Sequence, residues 1–283
     1  MKYYDMHTHS TYSDGVCSPK QLLDLAKEKA LDGISITDHD SIFGVPEAIL
    51  HGKEIGIDVV PGVEIQAYNC EILGYFFDLD NSSLNSILEK NQKTKLEHLK
   101  KRIDGLQELN VDIEFSEVEE YATKTNHKQI MATQLAEVLI AKGYGKTIQE
   151  IYVKYFKGMR IRLDTEPTRI KKVVEAINDA GGVSVLPHVW LLKPNQKEEI
   201  ENFITKLVKY GISGIETDGF IPNELKEFQG EDFITKIKVL CKEHNLIETA
   251  GSDFHGEDEH PDNILGKYKT SQDVLKELEK RRG

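Results

Sequence analysis

Four strand-like runs in this chain, at residues 2–6, 34–36, 183–185 and 247–249, each give way to a loop carrying histidine, aspartate or both. They lead into HTHSTYSDG from His7, TDHD from Thr37, Pro187-His188 and GSDFHG from Gly251. His7 and His9 are two apart, so on a strand their side chains point to the same face and can grip one ion. A lone HxH is equally well two polar residues at a strand end. Four strand ends of this kind are hard to dismiss as accident, and the C-terminal ends of strands are where barrel enzymes build active sites.

The rest of the pattern agrees with an α/β fold. Seven strands are expected, near residues 3–7, 33–37, 57–61, 71–77, 183–187, 213–217 and 246–250, alternating with helical segments as a parallel sheet requires. One helix is signalled by Ser18 as N-cap, Pro19 and Gln21, with Leu22, Leu23, Ala26 and Ala30 on one face. Another is expected from about Pro167, carrying Ile170, Val173, Val174, Ile177 and Ala180 and stopped by Gly181 and Gly182. Strand signals vanish from about Ser83 to Leu163, where Leu96, Leu99, Ile103 and Leu106 form one helical stripe and Leu135, Val138 and Leu139 another. Ser116 with Glu119 reads there as a capping box. Periodicity alone leaves open whether the sheet is a barrel or an open doubly wound sheet.

Charge is unevenly shared. Residues 83–163 carry 14 Lys and Arg against 11 Asp and Glu, a net +3, which leaves −15 for the rest of a chain whose net charge is −12. An acidic body repels a long polynucleotide, which needs many phosphate contacts from Lys and Arg. A small anionic substrate fits better. No apolar run approaches the ~20 residues of a membrane span, and the N-terminus lacks a signal-peptide core, so a cytoplasmic location is expected. Cys17, Cys70 and Cys241 form no CxxC pair and read as small apolar residues. No Walker glycine run, GxGxxG after a strand or GxSxG elbow is visible, leaving P-loop, dinucleotide and serine-hydrolase chemistry without support.

With PGVEI around Glu64 and EILGY from Glu71, the motifs resemble the PHP (polymerase and histidinol phosphatase) family of metal-dependent phosphoesterases, and residues 126–163 resemble the helical insert of its small-nucleotide and cyclic-phosphate branch. The resemblance implies a distorted (β/α)7 TIM-like barrel from residues 1–82 and 164–283, with 83–163 as a helical insert or cap. It further implies three divalent ions, Mn, Fe or Zn: His7, His9, Glu64 and Asp253 at the first, Glu64, Glu71 and His188 at the second, Asp14, His39 and His255 at the third. Glu64 would bridge a pair of ions sharing a hydroxide nucleophile, and Asp253 would pass the proton to the leaving oxygen.

Two positions depart from the family. Glu71 stands where a histidine is usual, and a harder oxygen donor favours Mn or Fe over Zn; were it turned elsewhere, two ions would remain. Ala132 and Gln134 stand where relatives of that branch carry an Arg and a His, leaving Lys128, Arg160 or Arg162 as replacements. His51, His98 and His244 read as surface residues, and neither His127 nor His260 as a ligand. The implied activity is hydrolysis of a small phosphorylated metabolite, a nucleotide bisphosphate or cyclic phosphate. Histidinol-phosphate phosphatase, C–N bond hydrolysis, and an exonuclease-like or non-catalytic metal-binding module stay open.

Overall fold

The computed structural model describes residues 1–159, 161, 168–192, 199–221, 231–256 and 263–283. Arg160, Arg162, Pro167 and His260 lie outside them.

All seven expected strands form: β1 (Tyr3–Thr8), β2 (Gly33–Ile36), β3 (Asp58–Ala67), β4 (Cys70–Tyr75), β5 (Val183–Leu186), β6 (Gly214–Gly219) and β7 (Ile247–Gly251). A two-residue β8 (Thr270–Ser271) adds an eighth, and the order is β7-β6-β5-β4-β3-β2-β1-β8. The two ends of the sheet meet beyond β7, where Asp253 donates its backbone N–H to His7 O at 2.8 Å and His9 to Phe254 O at 2.9 Å. Asp5 ties the same seam by accepting from the amides of Ser252 and Gly266. The result is a nearly closed α/β barrel filled by residues such as Met6, Leu73, Tyr75 and Val185.

Neighbouring strands are parallel except at β4, which runs antiparallel to both β3 and β5, and at the short β8, which runs antiparallel to β1. β3 extends through Ala67, well past the expected end at residue 61, and joins β4 through Tyr68 and Asn69. Two residues cannot make the crossover of a dozen or more that a parallel pair needs, so a hairpin is obligatory. The reversal has a consequence for the site: the beginning of β4, where Glu71 sits, shares a rim with the C-terminal ends of its parallel neighbours.

Helix α1 (Pro19–Glu28) forms with the full capping box of Ser18 and Gln21 and buries Pro19, Leu22, Leu23 and Ala26. Ala30 is not on that face; it lies beyond the helix end, exposed, at φ +56°. Helix α2 (Val45–Ile55) packs beside α1 and covers the same side of the sheet. Among 83–163, α3 (Ser82–Glu108) sets Leu84, Leu88 and Asn91 toward the barrel and Leu99, Ile103 and Leu106 into a separate apolar cluster. That cluster is completed by α4 (Phe115–Lys124), α5 (Ala132–Ala141), α6 (Ile148–Ile151) and a π-helical turn over Tyr152–Phe156. The capping box of α4 is Glu114 with Glu117, two residues before the expected Ser116–Glu119, because the apolar contact of Phe115 draws the helix start upstream.

Helix α7 (Ile170–Asp179) buries Val173, Val174, Ala176 and Ile177 and is stopped by Gly181 at φ +71°. Helices α8 (Ile200–Tyr210), α9 (Glu231–Glu243) and α10 (Gln272–Glu279) complete the outer layer. Among the described residues, no helix is long and apolar enough to cross a membrane.

Candidate metal centre

The barrel brings the nine sequence-selected side chains together. Their donor atoms fall into four overlapping groups, each with all atoms within 4.8 Å of one another: His9, Asp14, His39 and His255; His7, His9 and Glu64; His7, His188 and Asp253; His39, Glu64 and Glu71. Glu71 points into the cluster, with Oε1 3.6 Å from His39 Nδ1 and Oε2 3.5 Å from His188 Nε2.

Each residue has a local reason for its place. His7 is the penultimate residue of β1, His9 follows the strand, and Glu64 is fully buried on β3, paired with His39 in an isolated parallel bridge. The loop carrying Asp14 folds around Asp38, which accepts from the Ser10 amide at 2.7 Å and from the hydroxyls of Ser10 and Ser13. Gly15 closes that loop where a Cβ would stand 2.2 Å from His9 O, so no other residue fits there. His188 at φ +25° and Asp253 at φ +54° hold backbone conformations that L-residues avoid, a cost that proteins retain where surrounding contacts over-determine the geometry.

Glu64 lies at the centre. Its Oε1 is 2.8 Å from His188 Nε2 and 3.5 Å from His7 Nε2, and its Oε2 is 3.0 Å from His39 Nδ1 and 3.5 Å from His9 Nε2. Asp253 Oδ1 is 3.3 Å from His7 Nε2 and 3.1 Å from His9 Nε2. Asp14 Oδ1 is 3.4 Å from His255 Nε2 and 3.8 Å from His39 Nε2.

The electrostatics follow from this crowding. Burial pushes the carboxyls of Asp14, Glu64 and Asp253 up, but the facing imidazoles more than reverse it and hold all three below the usual carboxylate range. Burial likewise opposes the charged forms of His39 and His188, yet Asp14 and Glu64 raise the first to about 9, and Glu64 with Glu71 the second to about 9. His9 goes the other way, down to about 3, through burial and the neighbouring His255 and His39. Glu71 is raised by burial and by Glu64. Such a set wants cations between its carboxylates, and protons and metal ions compete for the same lone pairs.

The donor atoms themselves decide the fit to metal. His7 Nε2, His9 Nε2, His39 Nδ1, Asp14 Oδ1 and Glu64 Oε2 are buried with no hydrogen-bond partner, and all five turn inward. Buried polar atoms are ordinarily paired. Five convergent exceptions of nitrogen and carboxylate type suit Zn, Mn or Fe.

Several neighbours escaped the sequence reading. Asp38 and Asp40 flank His39; Asp40 is buried, accepts from the Gln66 amide and Asn91 Nδ2, and pairs with Lys95 at 2.7 Å. Glu216, in the middle of β6, contacts His7 and His188. The segment after α4 latches onto the mouth: Gln129 Nε2 donates to Tyr12 O and His39 O, Lys128 N to Thr11 O, and Thr133 Oγ1 to Asp14 Oδ2.

Lys128 Nζ itself bonds Asn126 Oδ1 at 2.6 Å. Gln134 caps α5 by accepting from the Met131 amide. His98, expected at the surface, is half-buried and lines a pocket of about 430 Å³ beside Glu71 and His188, together with Asn69, Asn91, Lys95 and Thr168. His51 pairs with Asp24 and Glu54 on the surface, while His127 bonds Thr125 and joins no ligand group.

A nearly closed α/β barrel with ligand side chains at one rim defines a class, and the family is specific: the PHP domain model matches residues 5–216, and the chain belongs to that family of metal-dependent phosphoesterases. It is a hydrolase of the phosphoesterase type, as its motifs imply. A 5′-3′ exoribonuclease of Haemophilus influenzae is 26% identical, covering 90% of this chain and 90% of its own. A phosphoribosyl 1,2-cyclic phosphate 1,2-diphosphodiesterase of Eggerthella lenta is 27% identical, covering 89% and 94%. The crystal structure of a candidate metal-dependent phosphoesterase from Bifidobacterium adolescentis shares the fold at TM-score 0.85 and 24% identity, over 99% of this chain and 96% of that one.

Proposed function

We propose that this enzyme hydrolyses a small phosphorylated metabolite, a nucleotide bisphosphate or a cyclic phosphate, at a centre of three divalent ions. His7, His9, Glu64 and Asp253 would hold the first, Glu64, Glu71 and His188 the second, and Asp14, His39 and His255 the third. When bound, such ions supply an activated water and positive charge against the phosphoryl oxygens. The carboxylate of Glu71 in place of histidine favours Mn or Fe at its position. Asp253 is the side chain to carry a proton to the leaving oxygen: its carboxylate is 25% exposed, whereas that of Glu64 is fully buried. Asp253→Asn with metals retained and turnover intact would remove that role.

The observation that carries the small-substrate reading is the pocket of about 430 Å³ opening on Glu71 and His188. It falls within the range of small-molecule sites. Lys95 and His98 stand one helical turn apart on its α3 wall and supply cationic and donor groups for an anion, a role that Ala132 and Gln134 cannot take. Residues 83–163 would then serve as the cap of a barrel built from 1–82 and 164–283, since α3 walls the pocket and the loop after α4 grips the rim.

A second reading, removal of nucleotides from an RNA 5′ end, is favoured by the similarity to the exoribonuclease at nearly the same identity as the cyclic-phosphate enzyme. One assay separates them. Mn²⁺-reconstituted protein of measured metal content is offered a 3′,5′-bisphosphonucleoside, a ribosyl cyclic phosphate, histidinol phosphate and 5′-phosphorylated RNA oligomers. Efficient turnover of the bisphosphate or cyclic phosphate is expected. Turnover of RNA alone, with binding that falls steeply with salt, would refute the small-substrate assignment.

A further inference from the structure

Glu216 is buried in the middle of β6 and does not line the pocket of about 430 Å³. Its Oε1 lies 3.2 Å from His7 Nδ1, and its Oε2 accepts the backbone N–H of His188 at 2.7 Å. Those two positions come from β1 and from the turn after β5. His188 is the residue whose backbone sits at φ +25°, ψ +58°. Gly251 on β7 leaves the meeting place bare, since a Cβ there would stand 2.4 Å from His7 Cβ and 2.8 Å from Glu216 Oε1.

Chemistry assigns the direction of each bond. A carboxylate is an acceptor only, so it takes both N–H groups at once, and His7 must carry its proton on Nδ1. In the neutral ring that a metal requires, that leaves Nε2 as the lone pair, and this atom is buried with no hydrogen-bond partner, 3.3 Å from Asp253 and 3.5 Å from Glu64. Glu216 joins none of the groups of convergent donor atoms, so it does not itself complete a ligand set.

We infer that Glu216 is a positioning residue: it fixes His7 in the tautomer able to bind metal and, with its second oxygen, pins the strained backbone that aims His188. The inference rests on the metal-centre reading above. An amide at this position keeps the size but offers one acceptor and one donor, so it satisfies one of the two N–H groups and turns its own N–H against the other.

The test uses Zn²⁺ alone as probe, with affinity measured by chelator competition and the His7 ring followed by ¹⁵N NMR. Zn²⁺-loaded wild-type protein is expected to show His7 protonated on Nδ1. Glu216→Gln is expected to weaken binding about 10- to 100-fold, the usual loss when the partner of a metal-bound histidine is removed, and to abolish the single His7 tautomer. Glu216→Asp, which keeps an all-acceptor group at shorter reach, should recover part of the affinity. Binding by Glu216→Gln at wild-type affinity with an unchanged His7 spectrum would overturn the inference while leaving the metal centre standing. So would a Zn²⁺-loaded wild-type protein in which His7 is protonated on Nε2 and not on Nδ1, a measurement that needs no variant to fold. Failure of the wild-type protein to bind Zn²⁺, Mn²⁺ or Fe²⁺ would instead remove the metal centre and this inference together.

Discussion

Lys95→Met should weaken the fold and the substrate wall together, because one ammonium serves both. Lys95 Nζ stands 2.7 Å from Asp40 Oδ2, while Oδ1 takes the Gln66 amide and Asn91 Nδ2. Asp40 is fully buried and the Lys95 side chain is 23% exposed, so removing the lysine strands a carboxylate in the interior. Breaking a buried pair from one side costs about 3–5 kcal/mol. The partial exposure of Lys95 places the expected loss at the lower end, about 3 kcal/mol. Asp40→Asn in the same chain removes the stranded charge and keeps an acceptor for Gln66 and Asn91. The double variant should therefore be more stable than the sum of the singles implies, by at least about 1.5 kcal/mol. Urea denaturation at saturating Mn²⁺ measures the cycle while holding the neighbouring His39 in place. In the same samples, Lys95→Met should raise KM for an anionic metabolite more than it lowers kcat. A coupling below about 0.5 kcal/mol would refute the buried pair, and an unchanged KM would remove Lys95 from the substrate wall.

Glu71→His, which restores the usual donor of the family, should shift the metal content after equilibration with mixed ions from Mn and Fe toward Zn, as read by mass spectrometry. Tyr75→Phe removes the hydroxyl that donates to Met6 O at 2.8 Å inside the barrel; it should cost about 1–3 kcal/mol in denaturant unfolding and leave KM unchanged. Chelation should lower the melting temperature, since the carboxylates of Asp14, Glu64 and Asp253 then rely on the facing imidazoles alone for opposite charge, and Glu71 on His39, His188 and Lys95. Added Mn²⁺ should restore it in proportion to the logarithm of ion concentration, as binding to the folded state alone requires.

Much of the barrel was legible because ligand-type side chains are conspicuous where apolar strands end, and His7, His9, His39, His188, Asp253 and His255 stand at or just beyond such ends. Glu64 and Glu71 were placed by motif resemblance; what puts them on the same rim is the β3–β4 hairpin. That reversal was hidden by Pro61, which reads as a strand terminator but sits inside β3, paired with Ile36. Once β3 is carried through Ala67, the two-residue gap before Cys70 dictates the antiparallel direction. β8 stayed invisible because two residues have no periodicity to read. His98 read as a surface residue; its meaning, like that of Lys95, comes from α3 reaching back over the β3–β4 edge.

Glu216 marks a different boundary. Glu216 lies inside the strand expected at residues 213–217 and inside β6 itself, so its type and its strand were within reach of the sequence. Its role was not. Glu216 acts on a histidine 209 residues away, across a seam that exists only once β7 and β1 have closed the barrel. Residues that hold metal can announce themselves by type and place, whereas a residue that orients them is defined by which two strands the closure brings together. For the same reason a buried carboxylate outside the ligand groups, Asp5 at the closing seam or Asp38 after β2, around which the Asp14 loop folds, is better sought from barrel geometry than from local pattern.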